Sequence, residues 1–184
     1  FESTRGMRGG DEAEFEGHML EVTLGPGMLS RNYDGLQNDL DKMEGVFLRR
    51  GEYTFPLDND KLWDFKPLAK VGDKVAAGGW LGEVDENFQP HKIMVPFTFK
   101  GEYTVKSLKE AGQYTIGEVI AVLTDEAGKD VEVTMIQRWP VKRAITCYKE
   151  KPRPYKLLET GVRTIDTVNP IVEGGTGFIP GPFG

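Results

Sequence analysis

Apolar residues in this chain alternate with polar ones in short runs instead of recurring at helical spacing. In "HMLEVTLGPG", Leu20, Val22 and Leu24 fall on one face of an extended segment and Met19, Glu21 and Thr23 on the other, before Gly25-Pro26-Gly27 forces a turn. In "KDVEVTMIQRW", Val131, Val133 and Met135 alternate with Glu132 and Thr134 in the same way. Between them, "KVGDKVAAGGWLGEV", "HKIMVPFTFKGEYTV" and "KEAGQYTIGEVIAVL" each set a short β run beside Gly-Asp, Gly-Gly or Ala-Gly. Strands this short between closely spaced turns predict a mainly β protein, with a small closed sandwich or barrel from about residue 40 to 135 instead of a parallel sheet.

One stretch reads differently. Thr160 is placed to cap "VRTIDTVNPIVEGG", where Val162, Ile165 and Val168 recur three residues apart, and Pro170 with Gly174-Gly175 limits the element to one short C-terminal helix. After Gly175, "TGFIPGPFG" is expected to run as a strand with Phe178 and Ile179 buried, leading into a glycine loop. That order, strand into glycine loop, is the context of a phosphate-binding loop, G-x-x-x-x-G-K-[ST]. Gly181, Pro182, Phe183 and Gly184 supply its first positions. Glycines let backbone N–H groups turn inward onto phosphate oxygens, while a lysine and a magnesium-binding hydroxyl complete the charge. Neither follows Gly184 in this chain.

Composition narrows the classes. With 39% hydrophobic and 28% charged residues the 184-residue chain has the make-up of a soluble globular protein, and no apolar run approaches the roughly 20 residues that cross a bilayer. A net charge of −6 argues against general nucleic-acid binding, which draws its affinity from clustered cations. The local exception is Arg138 to Lys156, rich in Lys and Arg and interleaved with Trp139, Tyr148 and Tyr155; Pro140, Pro152 and Pro154 mark it as a stiff, solvated connector. The single Cys147 rules out an intrachain disulfide framework and suits a reducing, cytoplasmic setting. Phe1, without an initiating Met or a leader, is expected to open an internal fragment.

The motifs carry a resemblance. Gln137 to Arg143 ("QRWPVKR"), Thr160 to Pro170 ("TGVRTIDTVNP") and Gly174 to Gly184 ("GGTGFIPGPFG") resemble the lead-in to the nucleotide-binding domain of the catalytic A (alpha) subunit of V-type and A-type rotary ATPases. Earlier, "LEVTLGPGMLSRNYDGLQNDL" is similar to that family's L-x-V-x-L-G-P-G-L-L-x-x-x-x-D-G-x-Q-R-P-L, with Asn38-Asp39 in place of Arg-Pro. The stretch running from "LWDFKP" through "VGDKV" to "HKIMVP" looks like the family's inserted module.

The resemblance implies an ATP synthase or hydrolase subunit that binds ATP/ADP and Mg, alternates with a non-catalytic B subunit in a hexamer, and touches central and peripheral stalk subunits. It also implies that the membrane is met only through the complex and that protons or sodium are moved. Residues 1–28 would then end the N-terminal β-barrel, 29–137 form the bulge or non-homologous region, and 138–184 connect to the start of the nucleotide-binding domain. GPFG would be the first half of the phosphate loop. The present residues would lack catalytic and metal groups and be inactive, with no cofactor of their own. Exposed candidates for stalk contact are the turns "DENFQP" and "TDEAGKD".

The middle of the chain also resembles a biotinyl or lipoyl carrier, so its expected fold is a flattened barrel-sandwich hybrid. Gly72-Asp73, Val75, Gly78, Ile93, Val95-Pro96 and Gly101 match that pattern. Carrier chemistry, however, needs a lysine on an exposed hairpin tip. Here the tip reads "DENFQP" and Lys92 lies in the following strand. His18 and His91 stand far apart without ligand spacing, and Asp58-Asn59-Asp60 lacks the rest of a calcium loop. Trp63, Trp80 and Trp139 are expected in the core or at contacts, and Asp85-Glu86 and Asp125-Glu126 are expected to solubilise turns. Coexpression with biotin and lipoyl ligases should leave the intact mass unchanged; an added cofactor mass would restore the carrier reading.

Overall fold

A computed structural model describes residues 5–12, 14–15, 17–43, 52–178 and 180–182. The chain forms two compact units, Phe1–Cys147 and Tyr148–Gly184.

In the first unit the alternating runs become strands: β1 (Glu21–Leu24), β2 (Leu62–Pro67), β3 (Lys74–Ala76), β4 (Trp80–Glu86), β5 (Gln89–Met94), β6 (Glu102–Leu108), β7 (Gly112–Thr115), β8 (Ala121–Thr124), β9 (Asp130–Val133) and β10 (Gln137–Pro140). They make one four-stranded sheet in the order β5-β4-β2-β7, another in the order β3-β6-β8-β9, and a β1-β10 ribbon, with every pairing antiparallel. The expected mainly β, barrel-sandwich architecture is what forms. Because side chains alternate across a pleated strand, each strand delivers one face inward. Leu57, Trp63, Phe65, Val84, Ile93, Ile116, Ile120 and Met135 pack as one buried cluster. Leu81, Val95, Val105, Ala121, Leu123 and Val133 form a second, and Leu108 packs against both. Burying each large side chain is worth about 1.5–3 kcal/mol, so the two clusters are the main source of stability for strands too short to persist alone.

Val133 and Met135 are buried as their alternation predicts. The first strand departs from its pattern: Leu20 is exposed and Thr23, from the face read as polar, is buried. The reason is local. One edge of β1 pairs with β10, bringing Val22 opposite Trp139. The other edge is completed by a side chain, since Gln37 Oε1 accepts from Thr23 N at 2.7 Å and Gln37 Nε2 donates to Thr23 O at 2.7 Å. Trp63 and Trp139 are buried, whereas Trp80 is 58% exposed, with Lys92 Nζ 5.0 Å above its ring.

The second unit contains α1 (Arg163–Val168), the expected short helix. Its N-cap is Val162, with no side-chain cap, instead of Thr160. Thr176 to Phe178 form no strand and Phe178 is 86% exposed, so the expected buried strand into the glycine loop is not formed there; Ile179 lies outside the described residues. Nothing in the described part of this unit offers that segment a ladder partner, and an unpaired strand does not hold itself extended.

The closest backbone approach in the first unit is at Gly82, where β4 crosses Phe65. A Cβ there would sit 2.2 Å from Phe65 Cε2 and 2.8 Å from Lys66 O. Gly82→Ala is therefore expected to destabilise the chain by about 1–3 kcal/mol in urea unfolding. A variant as stable as the parent would show that β4 can move off the ring.

Candidate functional site

In the second unit, the residues of "TGVRTID" are brought together by one carboxylate. Asp166 Oδ1 accepts from Thr160 N at 3.1 Å and from Thr160 Oγ1 at 2.6 Å, and Oδ2 accepts from Gly161 N at 3.0 Å. Thr160 Oγ1 in turn accepts from Val162 N at 3.2 Å. Thr160 thus acts through Asp166, fastening the loop to the helix from outside. Beyond α1 the chain returns beside its own entry: Leu158 N donates to Ile171 O at 2.8 Å, Glu173 N donates to Lys156 O at 2.8 Å, and Lys156 pairs with Glu173 at 2.9 Å. Gly181 and Pro182 are exposed, and a Cβ at Gly181 would meet nothing within 4 Å. Phe183 and Gly184 lie outside the described residues. The residues present do not complete a nucleotide site, since Gly181 offers open backbone but the chain carries no lysine or hydroxyl after Gly184. No catalytic step is assigned to them.

In the first unit, the β4–β5 hairpin meets the Gly25-Pro26-Gly27 turn around a buried carboxylate. Glu86, 2% exposed, accepts through Oε1 from Gly27 N at 2.6 Å and Leu29 N at 3.0 Å, while Oε2 lies 2.6 Å from His91 Nδ1. A carboxylate only accepts, so His91 Nδ1 is the donor in that contact. The expectation that Asp85-Glu86 merely solubilises a turn fails for Glu86. No sequence signal separates the two acids except strand alternation, which puts Val84 and Glu86 on the same face. Gly27 has φ 104°, a left-handed backbone that glycine tolerates and that aims its N–H at Glu86.

The "DGLQND" loop is pinned beside it. Asp34 Oδ1 accepts from Leu36 N at 2.9 Å and Asn38 N at 2.8 Å, and Asp34 Oδ2 accepts from Asn38 Nδ2 at 2.8 Å. The Asn38 side-chain bond, followed by its backbone bond, holds the Asp34 carboxyl below its ordinary value. Asn38 and Asp39, which stand where the resembling motif has Arg-Pro, are both buried. Asn38 Oδ1 accepts from Thr54 N at 3.0 Å, and Asp39 lies 3.7 Å from Arg31 and 3.8 Å from Lys42. Tyr33 donates to Pro56 O at 2.8 Å, and burial, more than the nearby Asp39 charge, raises its pKa. A polar cleft of about 220 Å³ opens among these loops, lined by Arg31, Asp39, Lys61, Trp63 and Glu86 among others.

The carrier position is also settled in geometry. Lys92 lies in β5 and is ion-paired with Glu83, whose carboxyl is held low first by that hydrogen bond. The hairpin tip holds Asn87 and Phe88.

Comparison with known proteins places this arrangement. Residues 54–142 match the ATP synthase alpha/beta subunit barrel-sandwich domain. The V-type ATP synthase alpha chain of Treponema denticola is 48% identical over 187 aligned positions, covering 100% of this chain and 32% of that relative. Those of Borrelia hermsii and Treponema pallidum are 48% and 46% identical over the same span. The chain belongs to the V-type ATP synthase alpha-chain family. It spans about a third of the length of these relatives. Within the family's barrel-sandwich domain fall β2 to β10, and therefore Glu86 and His91; the Asp166 loop lies beyond it.

Two outcomes follow from this geometry. Glu86→Ala leaves the Gly27 and Leu29 N–H groups without their acceptor and should lower stability by about 2–3 kcal/mol in urea unfolding, while Glu86→Gln, which keeps one acceptor oxygen, should lose less. Equal losses would place the energy in the charge. The Asp166 carboxyl is held below its ordinary value of 3.8, chiefly by the Thr160 hydroxyl and then by the Thr160 N–H. Because the folded value lies below the unfolded one, this stabilisation is complete above about pH 4 and is lost as pH falls through the folded value. The Thr160 and Gly161 amide resonances should hold their positions down to that range and then move together. Asp166→Asn should abolish this acid transition.

Proposed function

We propose that this chain is part of the catalytic subunit of an ion-translocating V-type/A-type rotary ATPase, coupling ATP hydrolysis or synthesis to proton or sodium transport. The observation that carries the reading is the full-length match to V-type ATP synthase alpha chains, combined with "TGVRTID" folded around Asp166 ahead of Gly181-Pro182. In this reading residues 1–28 close the N-terminal barrel, 29–137 are the bulge, and 138–184 lead into the nucleotide-binding domain, with Gly181, Pro182, Phe183 and Gly184 as the first half of the phosphate loop. ATP or ADP with Mg binds only when a lysine and a hydroxyl follow. The partners are a non-catalytic B subunit in an alternating hexamer and the central and peripheral stalks, with the complex working at the cytoplasmic side of a membrane.

Reading the gene past Gly184 tests this directly. The expected continuation is x-G-K-T, and a stop codon would sink the enzyme assignment. In parallel, isothermal titration of the 184-residue chain with Mg-ATP should give no binding heat, whereas the chain extended through that motif and its following domain should bind. Tight binding by the short chain would show that the nucleotide site is built elsewhere.

A further inference from the structure

The tip of the β4–β5 hairpin is costly in two independent ways. Glu86 pairs with Gln89, so Asn87 and Phe88 form a two-residue connection, with φ 52° and 65°. Such turns favour Asn-Gly because both residues are left-handed, and a bulky side chain at the second position is strained. Phe88 is also 99% exposed, so its ring gains nothing from burial within this chain. The tip is nonetheless held firmly: Glu86 is fastened by Gly27, Leu29 and His91, and Asn87 Nδ2 donates to Ser30 Oγ at 3.3 Å. A strained, exposed aromatic on an anchored turn has its ordering cost met before any contact is made, as in interface anchors.

We infer that the β4–β5 tip is a docking knob whose Phe88 enters an apolar pocket, rimmed by basic groups, on a partner protein. The charge around the tip selects that partner. Asp85 is exposed, and from Val84 to His91 there is no Lys or Arg, while the chain carries a net charge of −6. An anionic bilayer or a nucleic acid finds no cation there to hold it. A protein pocket with a basic rim receives both the ring and Asp85. This is the hairpin position at which a carrier domain displays its lysine, and here it displays a phenyl ring.

The test uses Phe88→Gly and Phe88→Asp in the full chain, and its choice of partners rests on the rotary-ATPase reading. Phe88→Gly should raise the thermal midpoint by about 2–4 °C, because it relieves the turn. A fall would make Phe88 a folding residue and overturn the proposal. Offered the purified B subunit and the stalk subunits of the same complex, the parent chain should bind one of them, with affinity reduced at least about tenfold in both variants. Equal affinities, or no binding by the parent chain, overturn docking through Phe88. The rotary-ATPase reading fails separately, at a stop codon after Gly184. Flotation with phosphatidylserine vesicles, or a concentration-dependent dimer in sedimentation that Phe88→Gly abolishes, would assign the ring to a membrane or to a second copy and likewise overturn the proposal.

Discussion

A carboxylate removed from water must be surrounded by donors, and that requirement at Glu86 organises the first unit. Its two oxygens take the N–H groups of Gly27 and Leu29 and the Nδ1 of His91. To reach it, the chain leaving β1 must turn back immediately, which the Gly25-Pro26-Gly27 sequence permits and the φ of Gly27 shows. The β1-β10 ribbon, whose strands otherwise pair only with each other, is thereby fastened to the β4–β5 hairpin through this turn. Replacing the acid with an apolar residue would leave two backbone donors to find new acceptors in a region where few exist.

The same logic explains which parts of the fold were legible in the sequence. Where a strand lies in a sheet and buries one face, period-two alternation reports the burial, as at Val131, Val133 and Met135. Where a side chain takes the place of a neighbouring strand, it does not. Gln37 gives Thr23 both a donor and an acceptor, as a strand would, and so draws Thr23 inward against its apparent polarity. Hydropathy has no term for an amide acting as a strand. Glu86 was hidden for a related reason: adjacency to Asp85 suggested a solvated pair, while its partners lie more than fifty residues away in the chain.

In the second unit, the sequence located the helix and missed its fastening. Thr160 was read as a cap because a hydroxyl ahead of an apolar repeat usually accepts from the first turn. Here the acceptor is Asp166, inside the helix, which reaches back to the threonine and the following glycine. The motif therefore makes physical sense as a unit: threonine supplies two donors, glycine a third that no side chain obstructs, and aspartate collects them. The segment after Gly175 shows the opposite case, in which an apolar pair alone was read as a buried strand; with no ladder partner among the described residues, Phe178 stays exposed. Of the candidate loop residues, only Gly181 and Pro182 fall within the described residues, and what makes such a loop a phosphate site is chemistry supplied by residues that follow.

The barrel-sandwich domain shows why a shared architecture fixes a position without fixing a chemistry. Two short antiparallel sheets closing on a common core leave the β4–β5 turn projecting, and whatever residue occupies that turn is presented to other molecules. A lysine there can be acylated. In this chain the nearest lysine, Lys92, is withdrawn into β5 and neutralised by Glu83, and an aromatic ring occupies the tip. The change removes covalent modification from the hairpin while keeping its geometry. The buried carboxylate that would be superfluous beneath a mobile carrier arm becomes useful beneath a rigid contact, because each degree of freedom removed from the tip in advance is one that binding need not remove.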